Sequence, residues 1–390
     1  MTLLQAANQI APEVVADRRT IHQFPELMYE VHQTAAMAEE RLRELGLEVR
    51  TKVGRTGVVG VLRGARPGRT VLLRADMDAL PIIEENEHPF CSQNRGVMHA
   101  CGHDAHTAML LGAARLLTER RQELPGNVVF MFQPAEEGGA GALRMIEDGL
   151  LDDPKVDGSF ALHVDANSYV GKVSMRVGPQ SAAADEFSIT VRGKGGHASR
   201  PQAAVDPVVV GAYIVTALQT LVSREVSPME PAVVTVGRLS GGTAFNVIPA
   251  TAVIEGTVRT YNEGVQAHIE RRLPAMVKGV AEAMRASAEV EYRRLYPLLV
   301  NHASGVSIAR DVVTELLGPG AALESDPIMG SEDFSFVLQR APGAMVRLGV
   351  RHKDWEQVRP THSPEFDLDE AALPIGVAVM AGMAMRFLES

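Results

Sequence analysis

The chain has 390 residues, of which 46% are hydrophobic and 22% are charged, a balance typical of folded globular proteins. This length exceeds that of one ordinary compact domain and predicts two. The formal net charge of -10 argues against a nucleic-acid binder, because such proteins usually present a clustered basic surface. The two cysteines, Cys91 and Cys101, are too few for a disulfide framework and favour a reducing compartment.

The start of the chain has no features of a signal peptide. Residues 1–10 lack a basic beginning, and polar residues interrupt their apolar ones. No run of about 18 apolar residues occurs, so we predict no membrane span. The most apolar segment, residues 371–387, contains Pro374 and is predicted to be a buried helix. We therefore expect a cytoplasmic protein with neither membrane nor nucleic-acid partners.

The first part of the chain alternates helical patterns with short apolar runs. Helices are predicted at residues 3–24 and 30–45, separated at Pro25, and then at 104–122 and 140–149. Buried strands are predicted at residues 57–63, 70–75, 128–133 and 158–164, the last ending near His163. Strands that alternate with helices predict an α/β sheet with parallel strands.

The pattern changes near residue 183 to the order β-α-β-β-α-β. Its predicted elements are a strand at residues 186–193, a helix at 205–222, strands at 231–239 and 251–260, a helix at 264–286 and a strand at 288–295. This order is ferredoxin-like, and the open edge of such a sheet often pairs with a second subunit. The α/β pattern resumes with helices at 304–317, 332–340 and 369–388 and a strand at 344–349. We predict a discontinuous domain of residues 1–182 and 296–390, interrupted by an inserted domain of residues 183–295.

The densest group of reactive side chains lies in residues 98–106. It contains a thiol, a carboxylate and three imidazoles, those of His99, His103 and His106. Cys101 and His103 flank Gly102 in a predicted turn, so both can point at one ion, and both are good ligands for zinc and related metals. The alternative is a buried cysteine with surface histidines, but so many polar groups are costly to bury without a ligand.

A second acidic group, Glu136 and Glu137, follows the predicted strand 128–133. Adjacent side chains point in different directions, so one can bind a metal while the other acts on a water as general base. The alternative is an acidic helix N-terminus, which the helix dipole favours. Asp104 likewise stands where a helix begins and could cap it.

Other candidates carry weaker signals. His163 alone is more often a core histidine, and His362 could belong to an ordinary surface loop. Asp76 and Asp78 follow a buried strand, where open α/β sheets bind ligands, and could orient histidine ligands through hydrogen bonds. The glycine-rich residues 192–199 lack the strand-to-helix context of a phosphate loop, which leaves His197 as their reactive member.

Taken in order, these segments resemble one known family. They are similar to the dinuclear metallo-amidohydrolases that include hippurate hydrolases, N-acyl-amino-acid deacylases and auxin-conjugate hydrolases, related to aminoacylase and carboxypeptidase metallopeptidases. The matching segments are residues 74–81, 98–106, 132–139, 193–201, 246–249, 256–260, 330–334 and 361–364. The resemblance implies a phosphorylase/hydrolase-like zinc-peptidase domain with a mixed central sheet, plus an inserted ferredoxin-like lid domain that dimerises.

The resemblance also implies roles for individual residues. The implied metal ligands are Cys101, which bridges two ions, and His103, Glu137, His163 and His362. Glu136 resembles the general base, and His197 the histidine that reaches a neighbouring subunit's active site and stabilises the oxyanion. Asn246 and Arg259 match residues that hold the substrate carboxylate, and Glu332, next to Asp333, lies near the pocket. Asp76, Asp78 and Asp104 would support the ligands, and His99 and His106 would be structural.

One departure from most relatives bears on the chemistry. Asp76-Met77-Asp78 stands where an H-x-D motif is usual, and Cys101 where the bridging ligand is usually Asp. The subgroup with this pattern acts mostly on N-acyl amino acids. We therefore expect an N-acyl-amino-acid hydrolase with two divalent ions per subunit, zinc or manganese, with nickel or cobalt as alternatives, in a homodimer or tetramer.

Three alternatives remain open at this point. The chain could be a metallo-carboxypeptidase or dipeptidase of the same family. It could use Cys101 as a nucleophile with His103 or His163 as base. It could also be a binding protein that kept the fold, although none of the implied site residues is missing.

Overall fold

The computed structural model describes residues 1–390, and the chain divides into two units. The first unit comprises Met1–Gln180, Val300–Asp326 and Asp333–Ser390. The second unit comprises Ser181–Leu299 and Pro327–Glu332. The predicted insertion, residues 183–295, falls within the second unit, which also includes a short later segment that the sequence pattern did not indicate.

The helices are α1 (Leu3–Gln23), α2 (His32–Glu44), α3 (His103–Glu119), α4 (Gly141–Glu147), α5 (Pro207–Glu225), α6 (Glu263–Ala283), α7 (Ala303–Leu317), α8 (Ser335–Leu338) and α9 (Leu373–Glu389). The strands are β1 (Glu48–Val53), β2 (Gly57–Arg63), β3 (Arg66–Asp76), β4 (Pro125–Gln133), β5 (Gly158–Tyr169), β6 (Val173–Met175), β7 (Gly178–Ser181), β8 (Ala183–Arg192), β9 (Gly196–His197), β10 (Ala232–Gly241), β11 (Val247–Ile248), β12 (Thr251–Thr260), β13 (Ser287–Tyr296), β14 (Leu299–Asn301), β15 (Ala322–Glu324) and β16 (Gly343–Arg351).

The first unit is built on a mixed sheet of eight strands in the order β1-β2-β4-β3-β5-β16-β6-β15. The central strands β4, β3, β5 and β16 are parallel, as the alternation of strands and helices predicted. They are apolar along nearly their whole length because both faces of the sheet are covered. Strand β1 is antiparallel to β2, from which only a tight turn separates it, and β2 is also antiparallel to β4.

Helices α1, α3 and α9 pack against one another beside this sheet, and α7 packs against α9. Almost every side chain of α9 is buried, so the apolar residues 371–387 belong to a core helix, as predicted. Two segments, Pro207–Glu225 and Glu370–Glu389, are long and apolar enough to cross a membrane by length and composition alone, and 78% of the second apolar window is buried.

Seven short strands, among them β1 and β6, were not predicted, and two predicted elements differ from the structure in extent. The strand predicted at 158–164 continues past His163 to Tyr169, because the added residues pair with the end of β16 although they are partly polar. The helix predicted at 332–340 is reduced to the four residues of α8, because residues 333–334 and 339–340 on either side of it adopt turns. The extension of β5 arises from a pairing partner that is distant in the chain.

The second unit contains an antiparallel sheet of four strands in the order β10-β12-β8-β13, with α5 and α6 packed against it. Apolar residues of β8 such as Phe187 and Ile189 face the helices and are buried. The opposite face carries cross-strand ion pairs, including Arg192 with Glu289 and Arg238 with Glu255. A separate antiparallel sheet of two short strands, β9 and β11, also belongs to this unit.

Candidate metal centre

A glycine turn brings Cys101 and His103 together. Gly102 has φ of +88°, a left-handed conformation that favours glycine, and His103 begins α3. A Cβ atom at this position would lie 2.6 Å from Cγ2 of Val164. The turn therefore requires glycine for both its backbone conformation and its packing, and it brings the two ligand side chains to the same site.

The first group of donor atoms belongs to Cys101, His103 and His163, whose ligand atoms lie within 4.8 Å of one another. Sγ of Cys101 is 3.5 Å from Nε2 of His163. Nδ1 of His103 donates to the carbonyl oxygen of Asp78 at 2.7 Å, and Nδ1 of His163 donates to that of Val164 at 2.8 Å. These bonds fix the tautomer of both rings and leave each Nε2 lone pair available to an ion.

A second group contains Cys101, Glu137 and His362, again with ligand atoms within 4.8 Å. Nε2 of His362 lies 3.2 Å from Oε1 of Glu137. His362 has φ of +64°, a strained conformation for this residue type, and its backbone N–H donates to the carbonyl oxygen of Ala100 at 2.7 Å. Cys101 is common to both groups, which is the geometry that a bridging ligand between two ions requires.

Glu136 lies beside these groups, in a third set with His103 and Glu137. The carboxylate of Asp78 accepts the backbone N–H of Glu136 at 3.0 Å and that of Glu137 at 3.1 Å. Ala135, just before them, has φ of +54°. Asp78 thus supports the histidine His103 through its carbonyl oxygen, while its carboxylate holds the backbone of the paired glutamates, an arrangement that the sequence did not indicate.

Asp76 and His106 are placed near His103 but are engaged with other partners. Oδ1 of Asp76 accepts Nδ1–H of His106 at 2.6 Å, and the backbone N–H of Val164 donates to Nε2 of His106 at 2.9 Å. Because both of its ring nitrogens are used, His106 has no lone pair left for an ion. It serves to connect Asp76 to strand β5, in keeping with the structural role predicted for it.

Asp104 does not cap helix α3, since no side chain caps that helix. Its Oδ2 instead accepts hydrogen bonds from Nε of Arg18 and Nδ1 of His22, both at 2.8 Å. Burial would raise the pKa of Asp104, but the charges of Arg18 and His22 outweigh it and hold the pKa well below its usual range. These partners lie on α1, and no local signal in the sequence connects them to Asp104.

The candidate ligands fit a late first-row divalent ion. Nε2 of His103 is buried and makes no hydrogen bond, which is rare for a polar atom in a protein interior. The donor set combines a thiol, three imidazoles and a carboxylate, and this mixture suits zinc and its neighbours better than magnesium or calcium. The residues present therefore fit such an ion.

The electrostatics of Cys101 disfavour its use as a free nucleophile. Burial raises the pKa of the Cys101 thiol to about 12, despite the nearby His103. Burial also lowers the pKa of His163 well below its usual range, with the charge of His106 adding to the effect. Both shifts disfavour a thiolate–imidazolium pair between Cys101 and His163.

The other predicted site residues lie in the second unit. His197 and Asn246 are both exposed, and β9 and β11 bring them together, with the N–H of Ala198 donating to the carbonyl oxygen of Asn246 at 3.2 Å. Arg259, on β12, bonds through Nη1 to the carbonyl oxygen of Val258 at 3.1 Å and to Oγ1 of Thr257. Glu332 is the last residue of the segment Pro327–Glu332.

The model of peptidase family M20/M25/M40 matches residues 72–386, which include every residue of the candidate metal centre. The chain belongs to this family. Its sequence is 38% identical over 396 residues to an N-acetyl-L-cysteine deacetylase of Bacillus subtilis, covering 100% of this chain and 93% of the relative. It is 40% identical over 389 residues to an IAA-amino acid hydrolase of Arabidopsis thaliana, ILR1-like 4, covering 99% and 88%.

A third relative of this M20 chain is thermostable carboxypeptidase 1 of Saccharolobus solfataricus, 38% identical over 383 residues and covering 97% and 96%. Among solved structures, a putative aminohydrolase from methicillin-resistant Staphylococcus aureus superposes with a TM-score of 0.93 at 37% identity, covering 99% of both chains. The YXEP protein of Bacillus subtilis, described as a dinuclear metal-binding peptidase, gives a TM-score of 0.84 at 33% identity, covering 98% and 99%. The chain is thus a hydrolase of the M20 family with a mixed α/β fold, and the predicted family resemblance is confirmed.

Proposed function

We propose that this M20 hydrolase cleaves the amide bond of N-acyl amino acids, releasing a carboxylic acid and a free amino acid, with two divalent ions per subunit. The observation that carries the proposal is the pair of donor groups that share Cys101, with Glu136 beside them. The relatives named for N-acetyl-cysteine and for auxin-amino acid conjugates support this substrate class, because both names describe an amino acid acylated on nitrogen.

The ligands in this proposal are Cys101, His103, Glu137, His163 and His362. Zinc or manganese is the proposed ion, with nickel or cobalt as alternatives that the same donor set can hold. Ions bound there would lower the pKa of water and polarise the amide carbonyl. The hydrogen bonds from His103 and His163 to backbone carbonyls hold both rings in the tautomer that this role needs.

Glu136 is proposed as the general base. Its backbone is held by Asp78, and its carboxylate lies within 4.8 Å of ligand atoms of His103 and Glu137. From this position it takes the proton of the attacking water and delivers it to the leaving nitrogen. Glu137, held by the other oxygen of Asp78, is left to serve as a ligand.

His197 is proposed as the donor to the oxyanion. Nδ1 of His197 accepts the backbone N–H of Ser199 at 3.1 Å, which places the ring proton on Nε2. A neutral imidazole with Nε2–H can stabilise negative charge on the former carbonyl oxygen. Arg259 and Asn246 are proposed to hold the substrate carboxylate, where a guanidinium can form paired hydrogen bonds, and Glu332 to line the pocket.

The second unit is proposed to be a ferredoxin-like lid through which the protein forms a homodimer or a tetramer. Its strand order and its two helices fit that topology. Several of its large apolar side chains are exposed, among them Tyr213, Leu239 and Phe245, and these would gain from burial against a second copy. In such a dimer His197 would serve the partner's site, in a cytoplasmic enzyme without membrane or nucleic-acid partners.

The test is a hydrolysis screen of N-acetyl, benzoyl, indole-acetyl and longer N-acyl amino acids beside dipeptides, with zinc, manganese, cobalt or nickel added separately. We expect N-acyl amino acids to be cleaved, and we expect a chelator to stop the reaction until metal is returned. Faster cleavage of peptides would favour a carboxypeptidase or dipeptidase, the activity named for the Saccharolobus relative. Amide hydrolysis that persists in chelator would contradict the metal-dependent mechanism and favour a cysteine amidase.

A further inference from the structure

A buried arginine stands between two carboxylates next to the candidate metal centre. Arg74 is 1% exposed, and its Nη1 donates to Oδ2 of Asp76 at 2.7 Å. Its Nη2 donates to Oδ1 of Asp333 at 3.3 Å, and its Nε donates to Oε1 of Gln133 at 2.8 Å. The guanidinium therefore reaches three acceptors on three separate segments, which fixes its position as well as its charge.

Asp333, which accepts a hydrogen bond from Arg74, is itself held by further donors. Nε2 of Gln133 donates to both carboxylate oxygens of Asp333, at 2.8 and 2.9 Å. The backbone N–H of Ala142 donates to Oδ2 of Asp333 at 3.0 Å. Asp333 is completely buried, and together with Gln133 it fixes the position of Arg74.

Asp76 itself lies close to a predicted ligand. Its Oδ2 is 3.4 Å from Nε2 of His103, the atom that would bind an ion. A carboxylate oxygen binds zinc at about 2.0–2.2 Å, so an ion on His103 would be within reach of Asp76 after a small rotation of that side chain. The hydrogen bonds from Arg74 and His106 instead turn both oxygens of Asp76 toward protein donors.

We infer that Arg74 is a positioning residue that keeps Asp76 out of the metal coordination sphere. Catalytic metal sites retain an open position for the reactants, and an additional carboxylate ligand would fill it and add negative charge. Arg74 donates a hydrogen bond to the oxygen of Asp76 that could otherwise bind the ion. Both Gln133 and Asp333 hold Arg74 in that position. This inference rests on the proposed metal-dependent function.

The test uses variants that keep the buried charge balanced. Arg74→Met alone would leave two buried carboxylates unpaired, which is strongly destabilising. The pair Arg74→Met/Asp333→Asn removes one positive and one negative charge and frees Asp76. Asp333→Asn is the matched control, because Arg74 keeps its bonds to Asp76 and to Gln133, which are shorter than its bond to Asp333. The triple variant with Asp76→Asn removes the freed carboxylate, and Arg74→Lys keeps the charge while losing the three-way hydrogen bonding.

Each protein is loaded with cobalt(II), and its visible absorption is measured, since this absorption weakens as the coordination number of cobalt rises. We expect the control to have the wild-type spectrum. The double variant should absorb more weakly and lose turnover about 10- to 100-fold. The triple variant should recover the wild-type spectrum. A crystal structure of the loaded double variant should show an Asp76 oxygen at about 2.0–2.2 Å from the metal.

An unchanged spectrum in the double variant would overturn the inference while leaving the proposed function intact, provided that the wild type binds cobalt and hydrolyses its substrate. The same altered spectrum in the double and triple variants would also overturn it, because the change would then not depend on Asp76. Should the double variant fail to fold, Arg74→Lys is expected to show the same change more weakly, and its failure to do so would overturn the inference. A wild type that binds no metal would overturn the proposed function and the inference together.

Discussion

In the first unit the candidate ligands His103 and His163 are fixed by hydrogen bonds, whereas in the second unit His197 and Asn246 stand on an exposed surface. His103 and His163 each have one ring nitrogen bound to a backbone carbonyl, and Asp78 holds the backbone of Glu136. His197, by contrast, is exposed on a two-residue strand, and its described ring contacts are with the nearby Ser199.

This difference indicates a division of labour between the two units. A metal centre needs its donor atoms held in place before the ion arrives, and buried hydrogen bonds do this without depending on a ligand. Residues that contact a substrate must stay accessible and can complete their contacts when it binds. Substitutions in the second unit should therefore lower turnover without releasing metal, which the following measurements test.

The largest effect is expected from Glu136→Gln, which removes the proposed base without removing a ligand. Turnover should fall by about 10³-fold or more, because the water loses its proton acceptor, while the metal content measured by elemental analysis stays at the wild-type value. Glu147→Gln, at a half-exposed glutamate on α4, is the matched control and should leave both quantities unchanged. Substantial activity in the Glu136 variant would remove this residue from the mechanism.

His197→Ala tests the second unit in the same way. We expect kcat to fall about 10²-fold with unchanged metal content, because the oxyanion loses one hydrogen-bond donor. His268→Ala, at a partly exposed histidine of the same unit that pairs with Glu225, should behave as the wild type. If His197→Ala instead released metal, His197 would have a structural link to the ligands and the division of labour would be wrong.

Gly102→Ala tests how strongly the turn between Cys101 and His103 depends on glycine. The variant should lose about 2 kcal/mol or more of unfolding free energy, because the left-handed backbone disfavours alanine and its Cβ meets Val164. Gly96→Ala is a close control, since Gly96 has φ of +89° and a Cβ atom added there would meet no other atom within 4 Å. Equal losses in both variants by urea denaturation would show that backbone conformation alone matters.

The smallest expected effect concerns pH and Glu84, whose Oε1 lies 3.1 Å from Nε2 of His22. Burial would raise the pKa of Glu84, but hydrogen bonds from His22 and the N–H of Ser92 outweigh it and lower the pKa to about 2. Because the folded-state pKa lies below the unfolded value near 4.5, ionised Glu84 stabilises the folded protein at pH values above 4.5. This stabilisation is lost as the pH falls toward 2.

We therefore expect Glu84→Gln to cost about 2 kcal/mol of unfolding free energy at pH 7, after allowance for solvent screening. Denaturation of both proteins between pH 7 and pH 3 should show the difference shrinking as the pH falls below 5. A difference that stays constant with pH would mean that Glu84 acts through packing and not through its charge.

The sequence alone predicted much of this protein, because the decisive signals are local. The spacing of Cys101 and His103 around Gly102, the adjacent Glu136 and Glu137, and the order of the motifs led to the family, which the comparisons confirm. Most helices and strands were also predicted to within a few residues, since their apolar periodicity follows directly from which face is buried.

Only the tertiary structure decided how the ligands are supported. Arg18 and Asp104 are 86 positions apart, and Arg74 and Asp333 are 259 apart, so no local pattern connects them. The same holds for Asp78, whose carboxylate holds the backbone of Glu136 and Glu137, and for the continuation of β5 past His163. Which buried polar groups become partners depends on how distant segments pack, and that is set by the fold of the whole unit.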